Sequence, residues 1–122
     1  MPQLLEIPKK NIQLFTMQQI TKLPAILIFT LAPWIDIDSS LTFNVSGTLK
    51  HYILKGIIYY NGNHFTARII DKDLTIWYHN GQTTYSSCQI ELFLMQHENH
   101  DFLKTCNEGY KAIMVFYTET NI

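Results

Sequence analysis

The run from Tyr52 to Asn80 restricts what this chain can fold into more than any other stretch. Tyr52 to Tyr60 is rich in aromatic and β-branched residues and reads as a strand. Asn61-Gly62 follows it, the strongest short hairpin signal, because both positions tolerate positive φ. His64 to Ile70 reads as a second strand and Asp71-Lys72-Asp73 as a polar turn. Leu74 to Asn80 reads as a third strand, closed by Gly81. The expectation is a three-stranded antiparallel meander over residues 52–80.

The turn centred on Lys72 sets a register for that meander. If Ile70 faces Leu74, His64 falls directly across from Asn80. Directly opposed residues on antiparallel strands have Cβ atoms about 4.5–5.5 Å apart, within hydrogen-bonding reach for an imidazole and a carboxamide. Such a pair has a known chemical use. A cysteine nucleophile works as its thiolate, and a neighbouring histidine takes the proton. A carboxylate or carboxamide must then hold the imidazole in one tautomer and orientation, as in Cys-His-Asn sites. His64 and Asn80 are therefore the candidate catalytic pair, although a histidine opening a strand is ordinarily just a polar residue at a turn. Tyr78 shares their face by strand alternation and is expected to line a groove. Trp77 points to the opposite face and reads as core, and His51 has no evident partner.

The flanks are less explicit. Leu23 to Leu31 reads as a strand buried on both faces and ended by Pro33, with Trp34 just beyond it as strand-end packing or a surface anchor. Leu41 to Val45 is a short strand with Ser46-Gly47 as its turn. Ile90, Phe93, Leu94 and His97 fall at helical spacing, so a helix is expected within Ser87 to Thr105, capped by Ser86 or Ser87. Gly109 precedes a last strand, Tyr110 to Tyr117. The fold class expected is α+β: a mainly antiparallel sheet with one or two helices.

Charged residues are 16% of the chain and hydrophobic ones 47%, enough for a core and unlike a disordered composition. The net charge of -1 argues against a nucleic-acid surface. The longest apolar run, Leu23 to Ile35, is interrupted by Pro24, Thr30 and Pro33 and is too short to span a bilayer. The first ten residues lack the order of a signal peptide. Two cysteines, Cys88 and Cys106, make no disulfide framework and no zinc pair, and reduced thiols suit a cytoplasmic or nuclear home. The nearest thing to a metal cluster is His97, His100 and Cys106; His97 and His100 share a face at helical spacing, but no fourth ligand follows in a known pattern. Neither a metal nor a cofactor is expected.

Four segments together resemble one family. Tyr52-Ile-Leu-Lys-Gly-Ile-Ile-Tyr-Tyr-Asn-Gly-Asn-His64-Phe-Thr-Ala-Arg is similar to the histidine box of ubiquitin-specific proteases, in the papain-like superfamily. Ile76-Trp77-Tyr78-His79-Asn80-Gly81 resembles that family's next strand, where a tryptophan precedes a triad Asp or Asn. Gly109 to Tyr117 resembles its closing strand, and Leu23 to Leu31 the Leu-Pro-x-x-Leu strand before the histidine box. All four stand in family order over residues 23–118. The resemblance implies the palm subdomain of such a protease there; outside it, residues 1–22 read as an arm or extra strand and 119–122 as a tail. It implies ubiquitin or a ubiquitin-like protein as partner. Phe65 stands where the family has the aromatic after its histidine, a position whose ordinary job is core packing; with Tyr78 it is the candidate substrate-binding pair.

The departures carry equal weight. The family's cysteine box is absent and would lie N-terminal to residue 1, and with it goes the oxyanion donor. Asn63 stands where the family has the glycine before its histidine. The chain is expected to be inactive alone, and a Cys-box chain or segment would have to complete it. Two alternatives stand beside that reading. One is a non-catalytic module that binds ubiquitin or another protein. The other is a His-Asn-Cys order, as in SUMO-type proteases, with Cys106 as nucleophile, although Thr105-Cys106-Asn107-Glu108-Gly109 does not match that class and Cys88 lies only just past Asn80.

Overall fold

The computed structural model describes residues 23–32, 35–81, 88–93, 101–106 and 108–120. Seven strands form one sheet: β1 (Ile26–Thr30), β2 (Ser40–Val45), β3 (Thr48–Tyr60), β4 (Phe65–Ile70), β5 (Thr75–His79), β6 (Gln89–Phe93) and β7 (Lys111–Thr120). The order is β1-β7-β3-β4-β5-β6, every pairing being antiparallel, and β2 pairs with the first half of β3. Ser46 and Gly47 both take positive φ, at 55° and 82°, which makes the β2–β3 connection a tight two-residue hairpin.

One face of the sheet holds the core. Leu27, Tyr52, Leu54, Ile57, Tyr59, Ile70, Ile76, Val115 and Tyr117 are buried there. Along β3 the buried parity switches between Leu54 and Ile57. A bulge at Lys55 does this, and a compensating irregularity near Ile113 on β7 restores the match. Each bulge inserts one unpaired residue, so the side chains after it turn to the other face. Two segments pack on this face, 35–39 and a 3-10 turn at Asp101–Lys104, with Ile37 and Leu103 buried at the contact. Buried tyrosine hydroxyls fasten the covering chain. Tyr59 donates to Leu103 O at 2.7 Å, Tyr117 to Asp38 O at 2.6 Å and Tyr52 to Pro24 O at 2.6 Å. Lys104 ties the two segments together through an ion pair with Asp36.

The opposite face is apolar too. Ile28, Phe116, Gly56, Ile69, Trp77 and Ile90 stand in one registered row across six strands. Ile28 is 56%, Ile69 44% and Ile90 60% exposed.

Several expectations require correction. The fold is a β-dominated domain rather than α+β, because the described residues contain no α-helix. In place of the helix expected within Ser87 to Thr105, Gln89–Phe93 is an edge strand on β5 and Asp101–Lys104 a single 3-10 turn. Residues 94–100 lie outside the described residues, and so do the proposed caps Ser86 and Ser87. Three apolar residues and a histidine at helical spacing are a weak signal, and pairing with β5 satisfies the backbone of 89–93 in a way that local propensity cannot foresee. β1 is an edge strand with one face in solvent, not a strand buried on both faces. Trp77 lies half-buried on the outer face, its indole N–H donating to Asp71 Oδ2 at 2.9 Å, rather than in the core. Glu119 and Thr120, read as tail, continue β7 opposite Tyr52 and His51. His51 bonds Thr42 across the hairpin, with Nδ1 and Oγ1 3.1 Å apart. The arm at 1–22, Trp34, His97 and His100 lie outside the described residues.

Candidate functional site

His64 closes the β3–β4 loop, and Asn80 directly follows β5. The loop is one residue longer than the expected strand bounds leave, because His64 belongs to it and not to β4. It spans Asn61 to His64, because Asn61 folds its side chain back: Oδ1 accepts from the backbone N–H of Asn63 and of His64, each at 2.9 Å. Gly62 takes φ 99°, a conformation that admits glycine without strain.

The β4–β5 turn decides how Asn80 meets His64. Asp71 Oδ1 accepts from the N–H of Asp73 at 2.9 Å and of Thr75 at 3.0 Å. Leu74 is forced to φ 62° and belongs to the turn, so β5 begins at Thr75 and Ile70 pairs with Ile76, not Leu74. The register therefore differs by two residues from the one expected. Extended one step past the Ala67–His79 pair, it sets Asn80 opposite Thr66 and diagonal to His64. A two-residue shift preserves the face, because side chains alternate with period two. Diagonal neighbours remain within reach of long side chains. His64 Nε2 and Asn80 Oδ1 lie 2.7 Å apart. Asn80 is buried, at 3% exposure, while His64 is half-buried. Asn80 is therefore an interior residue and His64 only partly so.

Glu108 completes the cluster from a different part of the chain. Its Oε1 accepts from Asn80 Nδ2 at 3.1 Å, and its Oε2 accepts from the Tyr78 hydroxyl at 2.5 Å. Burial pushes the Glu108 carboxyl up, but hydrogen bonds from Tyr78, Cys106 and Asn80 outweigh it and hold the group below its ordinary value. Burial and the bond to Glu108 push the Tyr78 phenol well above its own. Sequence reasoning missed Glu108. It lies 28 residues beyond Asn80 with no motif around it, and only the tertiary fold brings it near.

The other expected residues divide. Tyr78 joins the cluster, but it is buried and its hydroxyl is engaged by Glu108 rather than lining an open groove. Phe65 lies on the other face, 57% exposed and stacked on Tyr60 with ring centroids 4.4 Å apart. The structure does not bring Phe65 to His64's side of the sheet. Cys106 is buried and its thiol bonds the Glu108 carboxylate; Cys88 is exposed. A cleft of about 370 Å³ opens beside the site between the β3–β4 loop and the approach to β7, lined by Tyr60, Asn61, Gly62, Gly109, Tyr110 and Lys111. The Tyr110 ring meets the His64 ring edge-on, with centroids 6.2 Å apart, and so joins cleft and imidazole.

A second polar cluster supports the first. Arg68, 3% exposed, holds Glu91 through two bonds of 2.6 and 3.1 Å. Its Nη1 donates to the Tyr59 hydroxyl, Phe102 O and Thr105 O at 2.8, 2.8 and 2.9 Å. A bulge at Glu91 in β6 aims that carboxylate inward. Arg68 thereby fixes the chain at 102–105 that leads into Cys106 and Glu108.

Among the described residues no group of three or more His, Cys, Asp or Glu side chains is placed to hold a metal ion, and no helix is long and apolar enough to cross a membrane. The chain matches no protein-family model, no curated protein and no solved structure.

Proposed function

We propose that this chain supplies the base and its orienting carboxamide to a Cys-His-Asn thiol-protease site of the ubiquitin-specific kind, with the nucleophile coming from outside these 122 residues. The observation that carries the reading is the 2.7 Å contact between His64 Nε2 and Asn80 Oδ1 at the mouth of a sheet, beside an open cleft. The four family-like segments support ubiquitin or a ubiquitin-like protein as the substrate partner. Two unpaired thiols favour the cytoplasm or nucleus.

In the completed site His64 takes the proton of the incoming cysteine thiol. The thiolate attacks the carbonyl carbon at the ubiquitin C-terminus, and the imidazolium returns that proton to the departing amine. Water then hydrolyses the thioester, with His64 as base. Asn80 keeps the ring in place throughout. Cys106 is a poor substitute for the missing nucleophile, since it is buried and directed at a carboxylate instead of the imidazole.

The 122-residue chain alone is expected to turn over no fluorogenic ubiquitin substrate. Losing a nucleophile from a cooperating set removes about 10⁶ in rate in a serine-protease case. Adding a separately produced cysteine-box half of a ubiquitin-specific protease is expected to produce turnover that His64→Ala abolishes. Turnover by the chain alone that iodoacetamide stops would make Cys88 or Cys106 a nucleophile and overturn the proposal. Turnover of the mixture that His64→Ala leaves intact would also overturn it. Ubiquitin binding with no turnover in the mixture would favour the non-catalytic module instead.

A further inference from the structure

We propose that Glu108 is a positioning residue that dictates which nitrogen of His64 can act as base, by forbidding one of the two orientations of the Asn80 amide. The inference deepens the half-site reading and depends on it for its catalytic meaning, but not for its chemistry.

An asparagine amide can turn over, exchanging its oxygen and nitrogen within nearly the same volume. In one orientation Asn80 offers His64 an acceptor, and in the other a donor. The partners on its far side decide between them. An ionised carboxylate only accepts hydrogen bonds. Glu108 lies 3.1 Å from Asn80 Nδ2, so turning the amide over would set oxygen against carboxylate oxygen. The Tyr78 hydroxyl spends its proton on the other Glu108 oxygen at 2.5 Å. It too then presents an acceptor towards the Asn80 amide nitrogen, with which it makes a hydrogen bond. Two acceptors on one side leave Asn80 Oδ1 facing His64.

An amide oxygen cannot donate. In the 2.7 Å contact the proton must therefore sit on His64 Nε2. The neutral ring then has its lone pair on Nδ1, which becomes the nitrogen able to take a proton from a thiol. Glu108 achieves this without touching the imidazole. The bonds that hold its carboxyl below the ordinary value keep it ionised, and so acceptor-only, at neutral pH.

The test is nitrogen NMR of the His64 ring in the isolated 122-residue chain. It needs no substrate and no cysteine half, so it stands apart from the turnover experiment. In the wild type the neutral ring is expected to be the Nε2–H tautomer by about tenfold or more, because turning the amide over forfeits the Asn80 hydrogen bond to a charged carboxylate. Glu108→Gln keeps size and shape but supplies both a donor and an acceptor. Either amide orientation then closes the network, so mixed tautomers are expected. Glu108→Asp retains an acceptor-only group and is expected to keep Nε2–H dominant. Tyr78→Phe leaves Glu108 on Asn80 and is expected to do the same. A residue that merely braced the fold would leave the tautomer unmoved in Glu108→Gln. A single Nε2–H tautomer in that variant, or an Nδ1–H ring in the wild type, would overturn the proposal even if the completed site cleaves ubiquitin. The expected NMR result with no turnover in the mixture would leave Glu108's role standing and remove the protease reading.

Discussion

Replacing Arg68 by Met tests whether the second polar cluster holds the site in place. Methionine keeps much of the buried stem but removes all five donors. Glu91 is then a carboxylate whose side chain is 12% exposed with no cation beside it. Breaking a buried pair by deleting one partner costs about 3–5 kcal/mol. Phe102 O and Thr105 O also lose their donor, at about 1 kcal/mol or more each where water cannot replace it. Such terms are not additive, and a total near 4 kcal/mol is expected, a large share of the 5–15 kcal/mol of an ordinary domain. With a urea slope of about 1–3 kcal/mol per molar, the unfolding midpoint should fall by about 2 M. Arg68→Met/Glu91→Leu removes both charges and should recover at least about half of the loss, because an apolar pair has no ion left to desolvate. A single variant within about 1 kcal/mol of wild type would refute the reasoning, since it would mean water reaches Glu91 and both carbonyls. A double variant no better than the single would show that charge pairing is not the governing term.

Other outcomes follow from the same geometry. Asn80→Ala strands Glu108 and His64 around a buried gap and should cost about 1–3 kcal/mol, while half-buried His64→Ala should cost less than about 1, both read by urea denaturation. Tyr59, Tyr78 and Tyr117 have pKa values raised above the ordinary 10.0, chiefly by burial. Their folded forms hold protons that the unfolded chain releases, so stability is complete below that value and falls as pH climbs through and above it; thermal melts across alkaline pH should show it, and a flat profile would contradict it. The apolar row should bind a hydrophobic dye such as ANS, and Ile69→Thr with Ile90→Thr should weaken the fluorescence while shifting stability by under about 0.5 kcal/mol per site.

Much of the meander was legible because its signals are local. Asn61-Gly62 and Ser46-Gly47 mark turns by the φ they tolerate, and alternation assigns faces one residue at a time. That is why His64, Tyr78 and Asn80 could be placed on one face although the register was misjudged. A shift of two residues moves partners along the strand without turning any side chain over. The misjudgement came from Leu74, whose left-handed conformation no propensity predicts. Asp71 imposes it through bonds to Asp73 and Thr75. The helix expected after Ser87 failed for a similar reason. Its apolar spacing was a local hint, outweighed by an unpaired edge on β5.

By itself, then, the sequence determined the strands of the centre, roughly where they turn, and that His64, Tyr78 and Asn80 share a face, because neighbours in the chain settle those properties. Tertiary structure alone decided the rest. The bulges at Lys55 and Glu91 depend on a partner strand's register, so no local pattern announces them. The cation at Arg68 is tolerable inside only because Glu91 and two carbonyls from distant segments converge on it. Glu108 reaches Asn80 across 28 residues, after the chain has crossed the sheet, and a hydrogen bond between residues so far apart in sequence exists only once the sheet has formed.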